Sequence, residues 1–316
     1  MMQAFGRLLS LIAPLFFLVL LGYALARWGK WPKTVSDALT QFAFTAAVPA
    51  LLFQLMSGVS RLPPVDARVL IAFFGSCLLV FMLGRFIASR FFRMDGVSQS
   101  VFALGGIFSN NVLLGVPLAK ITLGEASVPV VSLVLVFNSL LLWTLVTVSV
   151  EWARHRTLSW SAYFQAAKTV ITNPVVASIL AGTLWGLTGL ALPGMIDQTL
   201  TLIGQAAIPL SLIALGMGLA EYRIREGWRE STTICALKLG VQPIIVWLLA
   251  RVLTLPALET QAIVMLASLP VGANVYLMSR QFKTKGGAIA ASLVLSTALG
   301  AATTPLLLAL ATALST

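Results

Sequence analysis

The chain has 316 residues, of which 59% are hydrophobic and only 10% charged, and its mean hydropathy is +0.96. A soluble domain of this length carries roughly 25% charged residues, so a water-soluble core cannot hide the apolar excess and lipid must be the solvent for most of the chain. The net charge of +11 does not mark a nucleic-acid binder, because the charges sit in short clusters between apolar runs, as topology signals do.

A helix that crosses the hydrocarbon core needs about 20 apolar residues. On that basis the chain divides into ten runs: 5–27, 34–58, 67–91, 97–118, 127–150, 166–187, 196–219, 230–253, 260–279 and 286–310. The first is too long for a signal peptide and lacks a small-x-small cleavage site, so it reads as a retained helix. The longest loop is 151–165, and no room is left for a soluble domain. The expectation is an all-α membrane protein of ten transmembrane helices. Residues 1–150 form a first five-helix unit, 151–165 a cytoplasmic linker, and 166–316 a second unit.

Loop charge sets the orientation. The odd-numbered loops carry Arg27, Lys30 and Lys33; Arg85, Arg90 and Arg93; Arg154, Arg156 and Lys168; Arg223, Arg225 and Arg229; and Arg280, Lys283 and Lys285, fifteen of the 21 basic residues. The even loops carry Arg61, Arg68, Lys120 and Arg251. Odd loops are therefore expected in the cytoplasm and both termini outside.

Shifted by 160, the sequence matches itself. Pro14 falls on Pro174, Gly22 on Gly182, Gly29 on Gly189, Asp37 on Asp197, Pro49 on Pro209 and Gly58 on Gly218, within eleven identities over 45 positions. Five helices per unit reverse the second unit relative to the first. That makes an inverted repeat, a construction typical of secondary transporters.

The fourth and ninth runs are interrupted at matching places. One reads Ser109-Asn110-Asn111-Val112-Leu113-Leu114-Gly115-Val116-Pro117, the other Ser268-Leu269-Pro270-Val271-Gly272-Ala273-Asn274-Val275-Tyr276. Proline removes a backbone donor and glycine weakens a helix. In lipid, such a break is tolerated only against protein or a watery cavity. The N-termini of the half-helices then present free N–H groups and a positive dipole end to an anion. Asn111 and Asn274 add amide donors and acceptors, with Ser109, Asn110 and Gly272 beside them. The bland reading is a packing kink with the asparagines bonded to neighbouring helices.

Other polar residues lie at membrane depth. Gln41 and Thr45, with Thr201 and Gln205 at the repeat-matched positions, either line the cavity or bond between helices. Asp37 and Asp197 read as helix-start residues that serve the dipole. Lys238 is either a functional intramembrane cation or a side chain snorkelling to the headgroups. Asn138 and Asn173 are further candidates. Cys77 and Cys235 lie in apolar runs as packing residues, and His155 sits in a polar loop. With no metal-ligand spacing and no nucleophile–base pair, the chain does not read as an enzyme.

The two interrupted segments, and the stretch from Lys238 to Pro243, resemble the auxin efflux carrier family, and the resemblance extends over essentially all 316 residues. It implies a bile-acid-symporter-like fold of five plus five helices with helices 4 and 9 crossing. Helices 1, 2, 6 and 7 would be a scaffold, helices 3–5 and 8–10 a transport body that moves elevator-fashion, and the protein a homodimer in a bacterial inner membrane. The family's crossover asparagines map onto Asn111 and Asn274, and its crossover prolines onto Pro117 and Pro270, with Gly115 in the same stretch. The implied function is secondary transport of small organic anions such as malonate or malate. A Na⁺-coupled symporter of bile-acid type and a non-transporting membrane receptor are the alternatives. No cofactor is expected, and H⁺ or Na⁺ coupling stays open.

Overall fold

A computed structural model describes residues 2–58, 60, 65–155, 174–220, 227–272, 274–284 and 286–315. Among them the secondary structure is helical, with no strand. In chain order the helices are α1 (Met2–Arg27), α2 (Lys33–Ser57), α3 (Arg68–Arg90), α4 (Gly96–Gly105), α5 (Asn111–Leu123), α6 (Val128–His155), α7 (Pro174–Leu187), α8 (Gly194–Leu219), α9 (Trp228–Val252), α10 (Ala257–Ser268), α11 (Asn274–Gln281) and α12 (Gly286–Ser315). Five of them (α2, α3, α8, α9 and α12) are each long and apolar enough to cross a membrane alone.

The expected fourth run is two helices, α4 and α5, and the ninth is α10 and α11. The fifth runs farther than expected: α6 continues through residues 151–155, where nothing in the sequence breaks a helix, and it takes in His155. The start of the sixth run and Asn173 lie outside the described residues.

Proline shapes these helices at regular offsets. Its ring clashes with the carbonyl four residues back and it donates no hydrogen bond. The helix answers by widening for a turn, so that bonds skip to the fifth residue. Wide turns occupy Ala43–Ala47, Asn111–Gly115 and Leu237–Val241. Each ends two residues before a proline: Pro49, Pro117 and Pro243. In α8 the helix is interrupted at Ala206, three residues before Pro209.

Two helix pairs form a tightly packed group, α1 with α8 and α2 with α7. Lipid removes the hydrophobic drive between helices, so close backbone approach at small residues supplies the attraction. Gly22 lies against the Ile213 carbonyl of α8, and Gly182 against the Phe53 carbonyl of α2. Adding 160 to Gly22 and Phe53 gives Gly182 and Ile213, so one contact is the other with its partners exchanged. Gly216 adds a second close approach, to the Val19 carbonyl and the Tyr23 amide of α1. Elsewhere α3 packs on α4 and α9, α10 on α9 and α12, and α4 on α6, around buried Phe73, Leu104, Ile107 and Ile234.

Candidate functional site

The two interrupted segments meet. α4 ends at Gly105, and α10 ends at Ser268 with Leu269 turned to an extended conformation. Asn110 N–H donates to the Pro270 carbonyl at 2.9 Å, and Gly272 N–H to the Phe108 carbonyl at 2.8 Å. Ser109 and Val271 pair as an isolated antiparallel bridge. These two rungs use backbone groups that neither half-helix can use itself. Gly272 is needed here: a methyl at its Cα would stand 3.0 Å from both the Phe108 ring and the Ser109 carbonyl oxygen. Four side chains take further groups. Ser296 Oγ accepts from Val271 N–H at 3.0 Å, and Thr304 Oγ1 donates to the Ser268 carbonyl at 3.0 Å. Gln242 Nε2 donates to the Ile107 carbonyl at 3.1 Å, and Lys238 Nζ to the Ala267 carbonyl.

A cavity of about 390 Å³ opens beside this crossing. Its floor is Phe108, Ser109, Asn110, Asn111, Val271, Gly272 and Asn274; its walls come from α2, α6, α7 and α8. α5 and α11 both start here, and the first turn of a helix leaves N–H groups without helical partners and carries the positive dipole end. Buried polar side chains face it too. Ser109 is 1% exposed and Asn111 2%, and neither Ser109 Oγ nor either amide atom of Asn111 has a partner among the described residues. Asn138, on α6, leaves its Oδ1 unpartnered beside them. Buried polar groups are nearly always bonded, and one left alone costs about 1–3 kcal/mol. Their convergence on a hollow marks a place for a guest that supplies the missing partners. At the mouth, Lys33 Nζ lies 3.9 Å from Asp37 on the next turn of α2, with both side chains about two-thirds exposed.

Of the residues expected at the site, Ser109, Asn110, Asn111, Gly272 and Asn274 line this cavity, as does Asn138. Pro270, Gly115 and Pro117 are buried and lie off its lining. Pro270 contributes its carbonyl to the ladder, Gly115 packs on Leu266 and Leu269, and Pro117 follows the wide turn of α5. Gln41, Thr45 and Gln205 are exposed on the outer surface and do not reach the cavity. The helical period explains the first two. The cavity face of α2 is Lys33, Ser36, Asp37, Thr40 and Phe44, and Gln41 and Thr45 are each turned one residue, about 100°, past it. Thr45 Oγ1 returns to the Gln41 carbonyl at 2.7 Å. Lys238 also lies off the cavity, because its ammonium turns to α10.

Neither aspartate caps its helix, since Pro32 and Pro193 hold those positions, but Asp197 lies in the first turn of α8, where a carboxylate serves the dipole as expected, and Asp37 lies beyond the first turn of α2. Asp37 faces the cavity, while Asp197 accepts from Gln54 Nε2 at 2.7 Å. The residues that the sequence reading missed, Lys33, Ser36, Thr40 and Tyr276, had one usable signal: 33, 36, 37 and 40 make a polar stripe at helical spacing.

The model of the membrane transport protein family matches residues 8–308. The chain belongs to the auxin efflux carrier family. It is 26% identical to a protein of Rhizobium meliloti (strain 1021) named provisionally as a malonate transporter, over 93% of this chain and 92% of that one. It is 24% identical to an uncharacterised transporter of Methanothermobacter thermautotrophicus, over 80% and 82% of the two chains. An uncharacterised transporter of Methanocaldococcus jannaschii is 22% identical over 92% and 94%. Family and apolar helices together make this carrier a multi-pass membrane transporter.

Proposed function

We propose that this carrier is a secondary transporter of small organic anions, mono- or dicarboxylates such as malonate or malate, working by alternating access. One observation carries the reading: unpartnered Ser109, Asn111 and Asn138 atoms and the starts of α5 and α11 converge on one hollow. Dipole ends and amides suit a carboxylate, and a cavity of this size is in the range of small-molecule sites. Lys33 at the mouth adds a cation on the path in. The name of the R. meliloti relative favours malonate as the first substrate to try.

In this reading the chain is a ten-span inverted repeat of five plus five helices. The α1, α2, α7 and α8 group is the scaffold, and the rest travels past it as an elevator. Basic odd loops put both termini outside, in a bacterial plasma membrane. Lys33 and Leu219 adjoin such loops, so the cavity faces the cytoplasm. Polar side chains are costly against hydrocarbon, so a second copy covers the face bearing Gln41, Thr45 and Gln205.

The test is radiolabelled malonate uptake into proteoliposomes. Asn111→Ala and Asn274→Ala are expected to abolish uptake while the protein stays folded and inserted. Unchanged uptake in both variants removes the site.

A further inference from the structure

The broken spans free carbonyls as well as N–H groups, and the carbonyl side is held by one helix. On α9, Gln242 bonds the Ile107 carbonyl just beyond α4, and one turn earlier Lys238 bonds the Ala267 carbonyl in the last turn of α10. Both side chains are fully buried, and Lys238 is the one charged residue among the buried residues described. Among the described residues, no carboxylate pairs with it.

A hydrogen bond to Ala267 does not need a charge. Gln242 serves Ile107 and Thr304 serves Ser268 without one. A buried ammonium in a membrane protein is costly and seldom retained without use. Ala267 and Ser268 together close the C-terminal end of a half-helix, where the dipole is negative, and Lys238 is the one basic side chain brought to that end. In carriers built from broken helices, such ends and the adjoining carbonyls are where a coupling Na⁺ is held. We propose that Lys238 is that cation built into the chain. Its amino group occupies the C-terminal end of α10, so no sodium ion binds there and the organic anion crosses without one. The inference rests on the organic-anion reading for its cargo but not for its ion site.

The experiment has a binding arm and a transport arm. Purified wild-type protein is titrated with radioactive sodium, and malonate uptake is compared in sodium and in N-methylglucamine buffers. The expected result is no saturable sodium binding and uptake equal within about twofold, since no ion contributes to the cycle. Saturable sodium binding to the wild type, or uptake raised about tenfold or more by sodium, overturns the proposal. Lys238→Gln keeps a donor for Ala267 and removes the charge; it is expected to lose about tenfold or more of the uptake, with Lys238→Arg retaining more. Sodium-independent uptake at the wild-type rate in Lys238→Gln also overturns it. If wild-type protein moves no malonate, the cargo reading fails and the sodium-binding arm still decides this one. If Lys238→Gln does not fold, the two wild-type arms decide.

Discussion

The glycine contacts of α1–α8 and α2–α7 and the crossing of the broken spans each bring backbone from the two halves of the chain together. In the first, Gly22 and Gly182 each meet a carbonyl from the other half of the chain, and the helices close on one another at their small residues. In the second, the backbones also meet, but Ser109, Asn111 and Asn138 keep buried polar atoms without partners among the described residues. Packing of the first kind gains from every atom it brings together. The second gives up stability at a few positions, as sites that must hold a guest do. Substitutions should therefore act in opposite ways in the two regions.

The largest effect belongs to the glycine contacts. Gly216→Leu forces a side chain into the α1 backbone and should cost about 3 kcal/mol, read as loss of monodisperse protein after detergent extraction. Gly218→Ala, two residues on, meets nothing within 4 Å and faces the cavity, so extraction should be unchanged. Equal behaviour of the two would erase the distinction. Next comes Asn111→Ala, with uptake lowered about 100-fold, as when a buried polar group loses its role toward a bound guest. Its thermal midpoint should hold or rise, since the substitution removes unpartnered buried atoms. A marked fall would recast Asn111 as a packing residue.

Thr304→Val should cost about 1–2 kcal/mol by leaving the Ser268 carbonyl without its donor, measured as a lower midpoint. The smallest effect lies at the rim. The Arg68 guanidinium, and then its backbone N–H, hold the Asp66 carboxyl below the usual carboxylate range. That contribution is complete above the ordinary carboxylate pKa and fades as pH falls through the lowered one. Acid titration of wild type against Asp66→Asn should separate the curves only slightly, because the pair is exposed.

Much of this was legible in the residues. The breaks were announced by Gly, Pro and Asn inside apolar runs, because those residues act on the backbone whatever surrounds them. What stayed hidden depends on angle. Whether Gln41 or its neighbour Thr40 meets the cavity is a matter of 100° of rotation, which the packing of α2 decides. Lys238 could be seen as a cation at membrane depth, but its turn toward Ala267 rather than the cavity comes from the placement of α10. The polar stripe of Lys33, Ser36, Asp37 and Thr40 was readable, and it passed as an ordinary helix start because it adjoins a basic loop.

The two rungs joining Phe108–Asn110 to Pro270–Gly272 have a mechanical consequence. Prising them apart would strand four main-chain groups of a buried crossing, each with a penalty of kilocalories. The pair is thus welded: neither half-span can slide without hauling its counterpart.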